Sequence, residues 1–296
     1  MDTALMRIAV LGSASSWYVA DLQRAAGDSH AIVPITYRHL HSQVDMHSIS
    51  LDSGEFDLFG CDALLVRSMP PGTLEQVIFR MNALAQLAEE RVVVNTPRAI
   101  EIAVDKYLTT VKLREAGLRV PTTIACQTAE QAMESFLSLG GEVVVKPVFG
   151  GEGRGITRVA DEAIALRTFK ALEQIGAVIY LQEFIEHEGC DLRLLIVGER
   201  IVGMRRRHPS DWRTNISRGA IGEPFELNDD LVQQARLAAR SVGATVAGVD
   251  FLPGRDRRLY ALEVNAVPGW RALSRVAGVD VAAWVIEHLQ DCCENR

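Results

Sequence analysis

The 296-residue sequence predicts an α/β fold, with a small parallel sheet at the start of the chain and an α+β second half built from antiparallel hairpins. Over residues 1–97, four short apolar runs alternate with two amphipathic stretches, which is the pattern of parallel strands joined by crossover helices. Further along, three pairs of apolar runs flank glycine-containing segments, which is the pattern of hairpins. We therefore expect both kinds of sheet in one chain.

The parallel domain is predicted to end at Pro97. Its strands are the runs "RIAVLG", "AIVPITY", "CDALLVRSM" and "RVVVNTP", and its helices are "WYVADLQRAAG" and "TLEQVIFRMNALAQLAEE". Gly12 follows the first strand, as in dinucleotide-binding proteins, but "GSASSW" lacks the G-x-G-x-x-G spacing that holds a pyrophosphate. We predict an ordinary strand-to-helix turn at Gly12.

The rest of the chain begins with one long predicted helix, "RAIEIAVDKYLTTVKLREAG", which Gly117 ends. A strand "VPTTIAC" follows, and then a helix "TAEQAMESFLSLG", which Thr128 and Gln131 open as a capping box. The next predicted elements are the strands "EVVVKPVF" and "GITRV", the helix "DEAIALRTFKALEQIG" and the buried strand "VIYLQEFIE". Two hairpins, "CDLRLLIVGERIVGMRRR" and "TVAGVDFLPGRDRRLYALEVN", precede a last helix, "DVAAWVIEHLQDC".

Composition narrows the range of functions. The net charge of −7, from 38 acidic and 31 basic residues, argues against a broad nucleic-acid-binding surface. The sequence has no run of 18 apolar residues, and its N-terminus is typical of a first strand rather than a signal peptide. The five cysteines are scattered, without the spacing of a zinc site, which suits a reducing cytosol. We expect a cytoplasmic protein that binds neither nucleic acid nor membrane.

The stretch "VVVKPVFGGEGRGITRV" is predicted to be a hairpin with a glycine-rich tip. Gly150, Gly151, Gly153 and Gly155 permit backbone N–H groups to point toward one anion, and Lys146 would add a positive charge. The loop is not a Walker A motif, because no lysine follows it. A flexible tip with a surface lysine explains the same residues equally well.

The last predicted hairpin carries a set of oxygen ligands. Glu263 and Asn265 are two residues apart on one strand, so their side chains share a face. If the hairpin loop is symmetric about residues 256 and 257, Asp250 lies directly opposite Glu263. Two carboxylates and an amide oxygen, with no His or Cys, suit Mg²⁺. An exposed polar face is the alternative, but the flanking residues are apolar and buried carboxylates need a partner, so we favour the metal site.

An arginine-rich segment, "MRRRHPSDWRTNISRG", lies between the last two hairpins. A two-residue turn at Gly198 and Glu199 places Asp191 opposite Arg206. The guanidinium groups of this segment could clamp phosphate or substrate carboxylates, since they bind both bidentately. The alternative is a cross-strand ion pair beside a solvated basic loop, and residue spacing does not distinguish the two.

These motifs together resemble those of the ATP-grasp superfamily and, within it, the RimK-like α-L-glutamate ligases. The resemblance spans essentially the whole chain and rests on the ordered segments "DKYLTTVKLREAGLRVPTT", "VVVKPVFGGEGRGI", "LQEFIEHEGCDLRLLIVG", "WRTNISRGA", "AGVDF" and "LEVNAVPGW". The stretch "GTLEQVIFRMNAL" is similar to the branch that adds glutamate to tetrahydromethanopterin-type pterins. The implied ATP-grasp fold has an N-terminal α/β domain at residues 1–97, a helix and central lid subdomain at 98–181, and a C-terminal antiparallel subdomain with the metal site at 182–296.

The resemblance implies a role for each matched residue. The glycine loop would be a mobile lid over the ATP phosphates, residues 182–185 the hinge beside adenine, and Asp191 a contact of the ribose. The residues implied to bind ATP are Lys106, Lys146, Gly150, Gly151, Glu152, Gly153, Arg154, Gly155, Gln182, Glu183, Phe184, Ile185, Asp191, Arg213 and Asn215.

The resemblance also implies the metal ligands and the residues that contact the acceptor. Asp250, Glu263 and Asn265 would hold two Mg²⁺ ions, with Mn²⁺ as a substitute. Arg206 and Arg218 would contact the acceptor carboxylate or the reaction intermediate. Relatives tend to carry a neutral polar residue where this chain has Glu152, and an anion there opposes phosphate unless it points outward or pairs with Arg154.

The implied activity is an ATP-dependent carboxylate–amine ligation. ATP phosphorylates a carboxylate, and the α-amine of L-glutamate attacks the acyl phosphate to form an amide. We expect the acceptor to be a small, pterin-like carboxylate. A protein or carrier-peptide C-terminus is one alternative acceptor, and a catalytically silent nucleotide-binding regulator is an alternative function. The resemblance further implies a homodimer or a homotetramer.

Overall fold

The computed structural model describes residues 5–151 and 153–296. Its first part contains a parallel sheet with the strand order β2-β1-β6-β7, as predicted. The elements of this part are, in chain order, β1 (Met6–Leu11), α1 (Trp17–Ala26), β2 (His30–Ile35), β3 (Leu40–Val44), β4 (Ile49–Ser53), β5 (Phe56–Asp57), β6 (Ala63–Val66), α2 (Leu74–Ala88) and β7 (Val92–Val94).

The three strands β3, β4 and β5 form an antiparallel sheet that the sequence did not lead us to expect. Most of their residues are polar or exposed, and only Leu51 and Ser53 are buried. Short strands of this kind lack the apolar run by which buried strands are recognised in a sequence.

The prediction of one long helix after the parallel sheet is wrong. The chain forms two helices there, α3 (Pro97–Val104) and α4 (Lys106–Glu115). Asp105 lies between them with an extended backbone, and its side chain accepts a backbone hydrogen bond that caps α4. The apolar periodicity continues across the break and so conceals it. The break makes Lys106 the first residue of α4, where its N–H donates to the Val148 carbonyl at 3.2 Å.

A small sheet with the strand order β10-β9-β11-β8 comes next, and all its neighbouring strands are antiparallel. Its elements are β8 (Thr123–Cys126), α5 (Ala129–Ser138), β9 (Val143–Lys146), β10 (Thr157–Val159), α6 (Glu162–Gln174) and β11 (Ile179–Glu183). The pairing of β9 with β10 confirms the hairpin predicted around the glycine loop. At the start of α5, Thr128 caps the helix as predicted by accepting from the Gln131 N–H.

A five-stranded antiparallel sheet with the order β14-β13-β12-β15-β16 forms the C-terminal part. Its elements are β12 (Cys190–Val197), β13 (Arg200–Arg207), β14 (Ile221–Pro224), α7 (Asp229–Val242), β15 (Val246–Pro253), β16 (Leu259–Asn265), α8 (Arg271–Ala277) and α9 (Val281–Glu294). Both predicted hairpins and the last helix are present, whereas β14, α7 and α8 were not anticipated from the sequence. The predicted boundary between residues 181 and 182 falls inside β11, and the division into three domains stays a prediction.

The two hairpins pair as predicted, with Asp191 opposite Arg206 and Asp250 opposite Glu263. The pairing of Asp250 with Glu263 does not result from a symmetric loop, as we had assumed. Near the tip the strands pair one residue out of that register, and a β-bulge next to Asp250 restores it. Leu262 is the extra residue of this bulge, so Leu262 and Glu263 together face one residue of the partner strand.

Asn95, which directly follows β7, joins the parallel sheet to the C-terminal sheet. Its side chain is 3% exposed, and its Nδ2 donates to the carbonyls of Val246 and Ala266 at 2.7 and 2.6 Å. Its Oδ1 accepts from the N–H groups of Thr245 and Val246 at 2.8 and 3.1 Å. These four bonds use the full hydrogen-bonding capacity of the amide. The carboxyl end of β7 is thereby fixed against the end of β16.

Two hydrophobic clusters extend from the parallel sheet into the C-terminal sheet, so these parts share a core. The small sheet has a separate core, in which Phe136 of α5 packs against Phe169 of α6. This separation leaves a cleft between the small sheet and the C-terminal sheet. In the described part of the chain, none of the helices has the length and hydropathy needed to cross a membrane.

Candidate active site

The cleft between the small sheet and the C-terminal sheet brings together residues as far apart in the chain as Lys106 and Glu263. Its walls combine charged, aromatic and aliphatic side chains. The lining residues are Lys106, Lys146, Ile156, Tyr180, His187, Asp191, Arg206, Trp212, Arg213, Thr214, Asn215, Asp250, Leu252, Leu262 and Glu263. Many of the residues predicted from the sequence to form a site are among them.

One part of the cleft is apolar. Ile156 comes from the small sheet, whereas Leu252 and Leu262 come from the C-terminal sheet. Strand residues normally alternate between faces, but the bulge in β16 allows Leu262 and its neighbour Glu263 both to reach the cleft. These aliphatic side chains were not predicted as site residues, and for Leu262 the reason is that a bulge leaves no recognisable signal in the sequence.

The two predicted phosphate-binding lysines lie together in the cleft. Lys106 donates from Nζ to the Gly150 carbonyl of the glycine loop, and Lys146 donates from Nζ to the side-chain carbonyl of Gln182. Burial lowers the pKa of Lys146 to about 8; Glu263 acts against this shift, and the positive charge of Lys106 adds to it. Near neutral pH, Lys146 is therefore a cation held close to its point of deprotonation.

The glycine loop has the backbone freedom that its composition suggests. Gly150, Gly153 and Gly155 have φ angles of 132°, 72° and 73°, which side-chain-bearing residues rarely adopt. Gly153 also lies so near Asn215 that a Cβ atom there would be 2.3 Å from the Asn215 Oδ1. We predicted that Glu152 points outward or pairs with Arg154. Glu152 lies outside the described residues, so this stays a prediction.

The predicted hinge at residues 182–185 is partly occupied by the protein's own hydrogen bonds. Gln182 is 2% exposed, and its Nε2 donates to the Thr123 hydroxyl at 2.9 Å. The N–H groups of Glu183 and Phe184 donate to carbonyls of neighbouring segments at 2.9 and 3.4 Å. Within residues 5–151 and 153–296, the N–H of Ile185 has no hydrogen-bond partner.

Four buried charges lie in alternating order across β13, β12 and β15. Arg206 binds Asp191 bidentately, with distances of 2.8 and 2.6 Å, and its Nη2 is 3.0 Å from the second carboxylate, Asp250. Arg193 donates to Asp250 at 2.7 Å. We refer to Asp191, Arg206, Asp250 and Arg193 as the charge ladder.

The charge ladder changes the interpretation of two predicted residues. Arg206 was expected to contact the acceptor or the reaction intermediate, but its guanidinium is committed to Asp191 and Asp250. Asp191 was expected to face a ribose, but both of its carboxylate oxygens accept from Arg206. The cross-strand ion pair, which the sequence left open as an alternative, is the arrangement that the structure shows.

Arg193 is a member of the ladder that was not predicted. It shares a strand face with Asp191, two residues earlier, and the D-x-R spacing was the available signal. Its guanidinium lies across Gly248, where a Cβ atom would be 2.3 Å from Nη2 and 2.5 Å from Cζ. A glycine at position 248 is thus needed for Arg193 to reach Asp250.

The three predicted metal ligands differ in their surroundings. Burial alone would raise the pKa of Asp250, but Arg193 and Arg206 outweigh it and hold the pKa below its usual value. The Asn265 Oδ1 accepts from the Val267 N–H at 2.8 Å. The Glu263 carboxylate has no hydrogen-bond or ion-pair partner in the described part of the chain. No group of three or more His, Cys, Asp or Glu residues able to hold a metal occurs among the described residues.

The remaining predicted arginines lie near the mouth of the cleft. Arg213 pairs with Asp211 at 2.8 Å and donates to the Ile156 carbonyl at 3.3 Å, which connects the 208–215 loop to the small sheet. Arg218 is exposed, and its side chain runs beside Gly153 of the glycine loop. Arg154 belongs to the glycine loop itself.

Comparison with known proteins identifies the class to which this fold and cleft belong. The sequence profile of the RimK-like ATP-grasp domain matches residues 103–289. The tetrahydromethanopterin:alpha-L-glutamate ligase of Methanosarcina acetivorans is 34% identical over 270 residues, which is 81% of this chain and 83% of that protein. The enzyme of the same name from Methanococcus maripaludis is 27% identical over 95% of this chain and 97% of that protein.

A solved structure shows the same fold. The ATP-grasp ligase PsnB, complexed with a minimal precursor, Mg and ADP, has a TM-score of 0.76 and 21% identity, and the likeness covers 97% of each chain. The fold is thus an ATP-grasp fold, as the sequence predicted. The chain belongs to the RimK-like ATP-grasp family, and it is a ligase.

We expect the substitution Gly248→Ala to destabilise the protein by about 3 kcal/mol, because the added methyl displaces Arg193 and leaves Asp250 short of a partner in a buried site. Denaturant unfolding measures this change. Gly151→Ala is the matched control, since no atom of the described residues, its chain neighbours aside, lies within 4 Å of the added methyl, and its effect should stay within about 0.5 kcal/mol. Equal stability of the two variants would contradict a structural role for the charge ladder.

Proposed function

We propose that the protein joins L-glutamate to a small-molecule carboxylate in an ATP-dependent reaction that passes through an acyl phosphate. The observation that carries the proposal is the cleft, which combines the buried Lys106, the partly buried Lys146 and aliphatic side chains. Glu263 lies in the same cleft and has no hydrogen-bond or ion-pair partner among the described residues. The names of the two methanogen relatives, which cover most of the chain, support glutamate as the amine and a pterin-like acceptor.

The apolar slot suits the adenine of ATP. Ile156, Leu252 and Leu262 offer aliphatic contacts from both walls. The N–H of Ile185, which has no hydrogen-bond partner among the described residues, would donate to a ring nitrogen of adenine. Lys106 and Lys146 would bind the phosphates at the other end, together with N–H groups of the glycine loop. Phosphate would then replace the Gly150 carbonyl and the Gln182 side chain as partners of these lysines.

The residues present fit a magnesium ion. Glu263 is uncommitted, and Asp250 and Asn265 each keep lone pairs beyond the hydrogen bonds that they accept. With only two carboxylates and one amide, phosphate oxygens of the nucleotide would complete the ligand shell, which is typical of Mg²⁺. When bound, Mg²⁺ would neutralise charge on the transferring phosphoryl group. Two ions, with Mn²⁺ as a substitute, form part of this proposal.

The chain's own residues would act through position and charge. Lys106 and Lys146 would stabilise the negative charge that develops on the phosphoryl oxygens, and closure of the glycine loop would exclude water from the acyl phosphate. Arg218, which is exposed beside Gly153, is the better candidate for a contact with substrate. We assign Arg206 to the positioning of Asp250 instead.

An unrelated acceptor, such as a protein or carrier-peptide C-terminus, would use the same cleft. A silent regulator would retain the fold but not the turnover. A cytoplasmic location and a homodimer or homotetramer belong to the proposal as well, together with the expected absence of nucleic-acid and membrane partners.

The proposal is tested by phosphate release from Mg-ATP in the presence of L-glutamate and a panel of acceptors, with product masses read in parallel. The panel contains a tetrahydromethanopterin-type pterin, a deazaflavin precursor, citrate and an acidic C-terminal peptide. We expect pterin-dependent release and a product heavier by one or more glutamyl residues. A product formed only with the peptide would support the alternative acceptor, and tight ATP binding without turnover would favour the regulator.

The substitution Glu263→Gln keeps the shape of the side chain but removes its charge, and we expect turnover to fall by roughly 10²-fold or more. Glu287→Gln is the matched control, because Glu287 forms an exposed ion pair with Arg200 on the protein surface. Full activity of Glu263→Gln in the same assay would refute the proposed metal site.

Nucleotide affinity should depend on pH through Lys146. Its pKa is about 8 in the free protein, and contact with phosphate would raise it, so ATP binding takes up a proton above pH 8. We expect the affinity for ATP, measured calorimetrically, to fall by up to about tenfold for each pH unit above 8. The variant Lys146→Arg stays charged throughout and should lose this slope. An identical slope in both proteins would contradict the assignment.

A further inference from the structure

The parallel sheet has a topological switch point between β1 and β6. The chain passes from β1 to β2 on one side and later adds β6 on the other side of β1. In open parallel sheets, ligands bind outside the carboxyl ends of the strands at such a point. Gly12 directly follows β1 there, and Arg67 directly follows β6. The cleft described above does not include either residue.

Arg67 is held between two aromatic rings. Its guanidinium carbon is 4.7 Å from the centre of the Tyr18 ring and 4.3 Å from that of the Trp270 ring. Its Nε is buried without a hydrogen-bond partner, and in the described part of the chain no carboxylate pairs with its side chain. Burial lowers the pKa of Arg67 to about 10, so the side chain is still charged at neutral pH.

Arg67 is partly buried, and a buried Nε–H without an acceptor is unfavourable, because aromatic rings attract the charge but do not replace the lost hydrogen bond. The carboxylate in this cluster, Asp21, is already committed. It accepts from Trp270 Nε1 at 2.9 Å and pairs with Arg24 at 2.9 Å. Asp21 is thus not available to Arg67, and a carboxylate from a ligand would match its guanidinium bidentately.

The position of Arg67 connects it to the proposed reaction centre. Strand β6 is parallel to β7, with Leu65 opposite Val94. Arg67 and Asn95 therefore both lie at the carboxyl ends of these strands, on the same end of the sheet. Asn95 binds the carbonyl of Ala266, which is the residue after the proposed metal ligand Asn265. The segment that starts at Asn265 then continues to Trp270, whose ring contacts Arg67. Arg67 is thus connected to the proposed metal ligand Asn265 through the segment 265–270 and through Asn95.

We propose that Arg67 binds a carboxylate of one of the two organic substrates and orients that substrate toward the phosphoryl-transfer site. The inference rests on the proposed function, because the ligation of glutamate to a carboxylate is what brings carboxylate-bearing molecules to Arg67. L-Glutamate carries two carboxylates that do not react, and the acceptor carries the one that does. Both substrates therefore offer a carboxylate to Arg67. The KM of each substrate shows which of the two Arg67 binds.

The test compares wild type with Arg67→Gln and Arg67→Lys by steady-state kinetics on the full chain. We expect Arg67→Gln to raise the KM of one organic substrate by roughly ten- to hundredfold, with the other KM and the affinity for ATP unchanged. Arg67→Lys keeps the charge without the bidentate fork and should recover part of the loss. A rise confined to glutamate or to the acceptor identifies which carboxylate is bound.

Arg271→Gln is the matched control, since Arg271 is exposed, lies over the ring of Trp17 at 5.2 Å and carries the same charge. Its KM values should equal those of wild type. If both KM values of Arg67→Gln and Arg67→Lys stay within twofold of wild type, or if the control shifts them equally, the inference is wrong.

An equilibrium measurement separates failure of this inference from failure of the proposed function. L-Glutamate and each panel carboxylate are titrated into protein that holds Mg²⁺ and a non-hydrolysable ATP analogue, and tryptophan fluorescence is followed. Binding that Arg67→Gln weakens at least tenfold supports the inference even where no turnover occurs. Absence of binding by all these carboxylates in wild type, or equal binding in the variant, overturns it. Thermal unfolding of each variant confirms that it is folded.

Discussion

The charge ladder of Asp191, Arg206, Asp250 and Arg193 is the constraint on which the cleft depends. Removing charges from water costs several kcal/mol for each ion unless opposite charges and hydrogen bonds compensate. Here each buried ion has an opposite neighbour within 3.0 Å, and the four charges sum to zero. A slip of one residue between the strands would turn these side chains to opposite faces and leave them unpaired. The ladder therefore favours one register of β13, β12 and β15, and that register brings Asp250 into the cleft.

A second constraint determines how the two large sheets meet. The side chain of Asn95 uses all its hydrogen-bonding capacity on the backbone at the start of β15 and just after the end of β16. The parallel sheet therefore has a fixed position relative to the proposed metal ligands. Arg67 lies at the same end of the parallel sheet as Asn95, between the rings of Tyr18 and Trp270. The small sheet, by contrast, has a core of its own and faces the others across the cleft.

Local patterns in the sequence were sufficient to predict the elements with strong apolar periodicity and the two hairpins with short turns. The pairing of Asp191 with Arg206 followed from counting residues around a two-residue turn. The pairing of Asp250 with Glu263 was also predicted, although a bulge, which counting cannot detect, produces it. The break at Asp105 was hidden because the apolar pattern runs through it. Asn95 and Arg67 act through partners distant in the chain, and no local pattern marks such contacts. For Arg193 the D-x-R spacing indicated a strand face shared with Asp191, but not the contact with Asp250.

Isotope transfer shows whether a substrate carboxylate is activated as an acyl phosphate in this cleft. The acceptor is prepared with ¹⁸O in its carboxylate and incubated with Mg-ATP, L-glutamate and the protein, and the released phosphate is analysed by mass spectrometry. We expect ADP as the second product and one ¹⁸O atom in each inorganic phosphate, because the carboxylate oxygen that attacks phosphorus leaves with it. Phosphate without ¹⁸O, or ¹⁸O in AMP, would rule out the acyl phosphate.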